Sequence, residues 1–248
     1  PPYPAVFGLW ECPTAVNSVE TLANVPVIVR GGAAAFASVG SKTSGGTKVL
    51  TVYDYLPDSE PKVIEVPFGT TLRDVLRHAG YSRAESELLA IVVGGAEGGA
   101  LPLSQLDTPF DFDPIEEAGA IVGSGVVELL PANTCMVSWA MDRSRYLSNE
   151  SCGKCVPCRL GMKRITGILE GMVSDLGVKK DLDVLDEFAE YVPNGSLCGF
   201  GVQATNALKT AKRYWPEHFQ AHIEEQKCPT GTCVPLRAHR FVTKHVLP

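Results

Sequence analysis

Four cysteines carry the first chemical signal of this 248-residue chain. Cys152, Cys155 and Cys158 stand in C-x2-C-x2-C spacing within Cys-Gly-Lys-Cys-Val-Pro-Cys, and Cys198 follows in the run Gly195-Ser-Leu-Cys-Gly-Phe-Gly201. Three thiolates so spaced can line one turn and offer sulfur to three corners of a cubic 4Fe–4S cluster, whose fourth ligand Cys198 can supply. In two-cluster ferredoxins the fourth cysteine follows within a few residues; here it is distant, which predicts a single cluster closed by a long loop or helix. Zinc competes, because four-cysteine zinc sites also use C-x2-C pairs, but those come as two pairs rather than a triplet and a singlet. Four unrelated buried thiols are the plainest alternative, and the close spacing argues against them. Lys154, Arg159, Lys163 and Arg164 interleave with the motif. Cations beside an anionic cluster raise its potential; the alternative is a solvated helix face.

A second set lies near the C-terminus. His222, Cys228 and Cys233 are spaced H-x5-C-x4-C, with Pro229 and Gly231 turning the chain between the thiols. Such a trio binds zinc if one more donor joins it. Cys135 is the first choice for that donor and Cys12 the reserve; packed thiols beside a helix-end histidine are the alternative. His78, His218, His239 and His245 read as ordinary surface or helix histidines. No side chain is assigned as a general acid or base.

Composition bounds the classes. With 45% hydrophobic and 20% charged residues, the chain reads as globular, with one to three compact units. A formal net charge of −6 disfavours nucleic acid as a partner. No run approaches the eighteen or so apolar residues of a membrane span. The start, Pro-Pro-Tyr-Pro, has neither the basic region nor the apolar core of a secretory signal. It also lacks methionine, which predicts a fragment of something longer or a processed product. Eight cysteines without a signal read as metal binding in a reducing compartment, not as disulfides.

The elements that must position these groups follow from periodicity. Thr14–Asn24 predicts a helix with Val16, Val19, Leu22 and Ala23 on a buried face, capped by Asn17 or Ser18. A short helix is expected over 32–39 and a loop over 41–47. Residues 48–53 and 62–66 alternate as strands joined by a turn at Pro57, Asp58 and Ser59. Thr70 or Thr71 opens a helix carrying Leu72, Val75, Leu76 and Ala79, stopped at Gly80. Strands follow at 89–93 and 125–130. The glycine run 94–99 between them reads as a turn, since it has no P-loop lysine. From Thr134 the pattern turns helical: 136–147, then a stripe of Leu160, Ile165, Ile168, Leu169 and Met172, a break near Gly177, and a stripe of Leu182, Leu185, Phe188 and Ala189. Asn194-Gly195 turns the chain towards Cys198, and helices are expected at 204–215 and 217–226. The fold class is α+β: a β-grasp-like unit, then a small helical bundle enclosing the cluster.

Five stretches together resemble one family: Asn17-Ser-Val-Glu-Thr-Leu-Ala-Asn24, Glu65-Val-Pro-Phe-Gly-Thr-Thr-Leu72, Asn133-Thr-Cys-Met136, Glu150-Ser-Cys-Gly-Lys-Cys-Val-Pro-Cys-Arg-Leu-Gly161 and Ser196-Leu-Cys-Gly199. The chain resembles the C-terminal part of the 51-kDa-type flavoprotein subunit of NADH dehydrogenase, whose relatives serve NAD-linked hydrogenases and formate dehydrogenases. The resemblance implies a remnant of an α/β FMN-binding domain at 1–46, a β-grasp domain of the SLBB type at 47–131, a helical 4Fe–4S domain at 132–226 and a tail at 227–248. It implies that Cys152, Cys155, Cys158 and Cys198 ligate the cluster, and that Val16, Asn17, Ser18 and Thr21 are part of an FMN site. Family members carry a second asparagine where Ser18 stands, which weakens that contact. The glycine-rich flavin and nucleotide loop of the family is not found in this sequence, so the chain alone should hold a cluster but neither FMN nor NADH well. Lys227-Cys-Pro-Thr-Gly-Thr-Cys233 resembles the linker of the electron-bifurcating hydrogenase branch.

The function so implied is electron transfer. NAD(H) exchanges hydride with FMN, and single electrons pass between FMN and the cluster towards other redox subunits, among them a 2Fe–2S subunit of the 24-kDa type. The protein would sit in the cytoplasm or peripherally on the cytoplasmic or matrix side of a membrane complex. A non-catalytic docking module with structural metal is the alternative, and a soluble-ligand binder built on the β-grasp unit is a third reading.

Overall fold

The computed structural model describes residues 2–55, 59–81 and 85–233. The turn residues Pro57 and Asp58 and the histidines His239 and His245 lie outside the described residues.

The N-terminal helix α1 spans Val19–Gly31, not the 14–24 that periodicity predicts. Ser18 caps it by accepting the Thr21 N–H at 3.1 Å, the capping expected of this position. The helix runs through Pro26 and ends at Gly32, whose φ of 88° suits glycine. The expected buried face is not buried: Val19 is 84% exposed, and Val16 and Leu22 are exposed as well. Among the described residues nothing apolar covers that stripe, so here periodicity marks a face without marking its burial. A short α2 (Ala33–Ala37) follows. Glu20 ties α1 to the sheet by pairing with Lys48 and accepting the Val49 N–H at 2.7 Å.

Five strands form one mixed sheet in the order β2-β1-β5-β3-β4: β1 (Thr47–Asp54), β2 (Lys62–Pro67), β3 (Leu88–Val93), β4 (Gly99–Pro102) and β5 (Val126–Pro131). β1 and β5 pair in parallel at the centre, and the other pairs are antiparallel. α3 (Leu72–His78) starts behind Thr71, whose hydroxyl accepts the Asp74 N–H, and α4 (Phe112–Glu117) starts behind Asp111. β4 and α4 are additions to what the sequence predicts; the glycines at 94–99 do form the expected turn, with Gly94 and Gly95 at positive φ.

Both faces of the sheet are covered, which explains the unbroken apolar run of β3. Ile91 and Val93 point to a core with Leu72, Val75, Phe110 and Ile115 from the α3/α4 side. Ala90 and Val92 point to a second core built with the C-terminal helices. Those helices are α5 (Met136–Glu150), α6 (Met162–Val173), α7 (Lys180–Asn194), α8 (Gly199–Gln203), α9 (Asn206–Tyr214) and α10 (Pro216–Gln220). Met136, Val137, Ala140 and Leu147 of α5 meet Ile165, Leu169 and Met172 of α6 in that core. On the same face Glu128, 1% exposed, pairs with Arg143 of α5 and accepts the Tyr55 hydroxyl at 2.6 Å. α9 is pinned to the β3–β4 turn, where Ala100 N–H donates to Thr210 Oγ1 at 3.0 Å and Asn206 Nδ2 to the Glu97 carbonyl at 3.0 Å.

Candidate metal centres

The cysteine triplet sits where α5 stops. Ser151 ends the helix in an extended conformation, Gly153 turns the chain at φ 76°, and the residues Pro157–Gly161 form a π-helical turn that runs into α6. Wider π turns aim a side chain off the α-helical register and are frequent at functional sites. Cys158 lies buried at the start of this turn, Cys155 is half-buried, and Cys152 is exposed.

The segment bearing Cys198 folds back onto the triplet. Leu197 N–H points at Cys155 Sγ from 3.4 Å. The approach requires glycine: a Cβ on Gly195 would stand 2.5 Å from Pro157 Cγ, and one on Gly201 would collide with the Ser196 hydroxyl and lie 3.6 Å from Cys158 Cβ. The loop 195–201 is thus laid against the segment carrying Cys155 and Cys158. The position in the bundle differs from expectation. Exposed Cys152 and Cys198 put the constellation at the rim of the helical domain rather than in its interior.

A second constellation closes more tightly. Among the described residues, Cys135, His222, Cys228 and Cys233 bring one ligand atom each within 4.8 Å of all the others. His222 Nε2 stands 3.2 Å from Cys135 Sγ and 3.8 Å from Cys233 Sγ. Ligand atoms around tetrahedral zinc stand roughly 3.5–4 Å apart, given bonds of about 2.0–2.3 Å, so small side-chain adjustments would seat an ion. Cys135 is the donor that joins the trio; Cys12 is exposed near the N-terminus. His222 belongs to a second π-helical turn, Ala221–Glu225, and Gly231, at φ 68°, turns the chain between the two tail thiols.

The electrostatics suit a metal. Cys135 and Cys233 share a hydrogen bond that holds the Cys135 thiol far below its ordinary range and pushes Cys233 up; burial opposes the first shift and adds to the second. Burial would raise Cys228, but hydrogen bonds from Thr230 and the Cys233 backbone bring it down to about 7. Burial would lower His222, and the hydrogen bond and charge of Cys135 raise it instead. The set therefore carries thiolate character at Cys135 and Cys228, the form in which a thiol binds a metal. His222 Nδ1 is buried with no hydrogen-bond partner among the described residues.

His218, read from the sequence as an ordinary surface or helix histidine, lies in α10 and is not at the surface. It is 8% exposed, and its Nδ1 accepts the Met136 N–H at 3.1 Å. That acceptance fixes the proton on Nε2, and His218 hydrogen-bonds the neighbouring Cys135 side chain. The signal for it was present: His218 and His222 are four residues apart, one helical turn.

The FMN residues implied by resemblance lie together at the head of α1. Val16, Asn17, Ser18 and Thr21 are all exposed, and the Ser18 and Thr21 hydroxyls stand 2.8 Å apart.

Known proteins share this cysteine-bearing region. Residues 139–222 match the family described as the NADH-ubiquinone oxidoreductase-F iron-sulfur binding region. Along most of its length the chain is similar to F-type subunits of NADH dehydrogenases. It is 37% identical over 237 residues to the NADP-reducing hydrogenase subunit HndC of Solidesulfovibrio fructosivorans, covering 95% of this chain and 48% of that protein. It is 35% identical over 230 residues to the F 2 subunit of the NADH-quinone oxidoreductase of Rhizobium meliloti, covering 92% and 54%. The chain thus spans about half the length of the curated relatives it matches. Among solved structures, a chain of the NAD+-reducing [NiFe]-hydrogenase in its H2-reduced state superposes with a TM-score of 0.79 at 30% identity, covering 99% of this chain and 41% of that one. The triplet and His222 fall inside the matched iron–sulfur region; Cys198 does too, whereas Cys135, Cys228 and Cys233 lie outside it. No helix among the described residues is long and apolar enough to cross a membrane.

Proposed function

We propose that this chain is the electron-relay part of an NADH:acceptor oxidoreductase subunit, with Cys152, Cys155, Cys158 and Cys198 holding one 4Fe–4S cluster. The observation that carries the reading is the loop 195–201 laid by two glycines against Cys155 and the π turn that bears Cys158. The donor chemistry fits: four free thiols, one N–H aimed at a sulfur, and an opening to the surface. The cluster, when bound, accepts and passes single electrons. The protein's part is to fix the thiolates, to keep water from Cys158, and to leave the Cys152/Cys198 side open to a partner centre. Similarity to a hydrogenase subunit supports other redox subunits as partners, and the family resemblance implies a 2Fe–2S subunit among them.

Within this reading, residues 1–46 are part of a flavin domain. Val16, Asn17, Ser18 and Thr21 face FMN, whose remaining wall and NAD(H) site come from sequence beyond this chain. Residues 47–131 are the SLBB-type β-grasp domain and 132–226 the cluster domain, while 227–233 closes a structural zinc site on Cys135, His222, Cys228 and Cys233. Zinc there would fasten the C-terminal segment to the start of α5. That site also gives the alternative, a docking module with structural metal, its one specific support.

Anaerobic reconstitution with iron and sulfide, followed by low-temperature EPR after reduction, tests the relay. A 4Fe–4S signal lost or altered in Cys198→Ser is expected. A chain that takes up zinc without iron supports the docking module instead.

A further inference from the structure

Cys158 is the buried thiol of the triplet, and its sulfur lies 3.2 Å from the hydroxyl of Ser151. The direction of this hydrogen bond follows from the other neighbour of the oxygen. Gly153 N–H donates to Ser151 Oγ at 3.3 Å, from a turn that its φ of 76° makes possible. That bond uses an oxygen lone pair and leaves the hydroxyl proton free. A metal-bound thiolate has no proton to give and can only accept. With a cluster in place, Ser151 is therefore the donor and Cys158 the acceptor.

We propose that Ser151 is a positioning residue that raises the reduction potential of the cluster by donating a hydrogen bond to Cys158 sulfur. The proposal rests on the assignment of the four cysteines as cluster ligands. Reduction adds one electron to the cluster and increases the negative charge on its thiolate sulfurs. A donor held against such a sulfur stabilises the reduced state more than the oxidised one. The site matters as much as the bond. At exposed Cys152 and Cys198, water can replace any lost donor, whereas buried Cys158 has no such substitute. Leu197 N–H does the same for Cys155 from the backbone, so Ser151 is the donor that a side-chain substitution can remove. Arg159 hydrogen-bonds the Gly153 carbonyl and steadies the turn that holds Gly153 N–H on Ser151.

The test is a redox titration followed by EPR on the iron–sulfur-loaded chain and three variants. Ser151→Ala removes the donor, and its cluster is expected at a more negative potential. Ser151→Thr keeps the hydroxyl and is expected to restore the potential of the unaltered chain. Ser151→Asp keeps an acceptor for Gly153 N–H but offers Cys158 no proton at neutral pH, so its potential also falls. A cluster retained in Ser151→Ala or Ser151→Asp at unchanged potential overturns the proposal. So does loss of iron in both while Ser151→Thr keeps it, because the role is then purely one of shaping the turn. Failure of the unaltered chain to bind a 4Fe–4S cluster at all sinks the ligand assignment itself, a separate outcome.

Discussion

Cys135 Sγ and His222 Nε2 stand 3.2 Å apart although 87 residues separate them in sequence. The contact joins the first turn of α5 to the π turn after α10, and Cys228 and Cys233 complete it from the tail. A thiol and an imidazole brought this close across the fold, with two further thiols around them, could hold one metal ion, the cage of the proposed reading. Zinc content measured after purification with zinc present should be about one per chain, and Cys233→Ser should lose it while keeping iron.

His218 gives that cage its rigidity. Replacing it by phenylalanine leaves the Met136 N–H without its acceptor and Cys135 without a neighbouring donor. Second-layer partners of this kind are worth about 10–100-fold in metal affinity. Competition with a chromophoric chelator should show a loss of that order for His218→Phe and a smaller one for His218→Asn, whose amide can still accept from Met136.

The cores were legible in the sequence and the surfaces were not. Leu72, Val75 and Leu76 fall where helical spacing puts them, and the apolar run of β3 is buried on both faces. β4 escaped because Gly-Ala-Leu-Pro is bracketed by the two residues that normally end strands, and its strand character comes from pairing with Ala90–Val93. The stripe on α1 has the period of a buried face, yet it is exposed here, because periodicity records a face and not what covers it. For the metal groups, local spacing found the triplet, but whether it lay inside or at the rim depended on how α7 packs against the π turn that bears Cys158. Ser151 was missed because a hydrogen bond to sulfur leaves no spacing pattern, whereas the four-residue spacing of His218 and His222 was a signal the sequence did carry.

The buried pair Glu128–Arg143 should be sensitive to cutting one partner. Glu128 lies on β5 beneath α5, and Tyr55 adds a hydroxyl to the same carboxylate and accepts from Arg143 at 2.8 Å. Arg143→Met leaves a carboxylate buried without its cation, a change that costs about 3–5 kcal/mol. Urea denaturation should show a loss of that size. Glu128→Gln/Arg143→Met, which removes both charges, should recover a large part of it.

Asp111 sets an acid limit on stability. Burial would raise its pKa, but hydroxyls of Ser41 and Ser44, the Phe112 N–H and the Thr43 hydroxyl together hold it below the ordinary carboxylate range. A carboxyl with a depressed folded-state pKa stabilises the fold fully above its unfolded value, near 3.9, and loses that contribution as pH falls through the folded value. Unfolding free energy should therefore drop below about pH 4, and Asp111→Asn should be less stable at neutral pH and show a shallower acid decline.

The cluster is the centre of the proposed relay, and Mössbauer spectroscopy of the chain reconstituted with 57Fe is its most direct test. The reading predicts a 4Fe–4S quadrupole doublet accounting for about four irons per chain, reduced to a minority in Cys158→Ser and Cys198→Ser. A rubredoxin-like single-iron spectrum, or a four-iron spectrum unchanged when Cys198 is replaced, would contradict it.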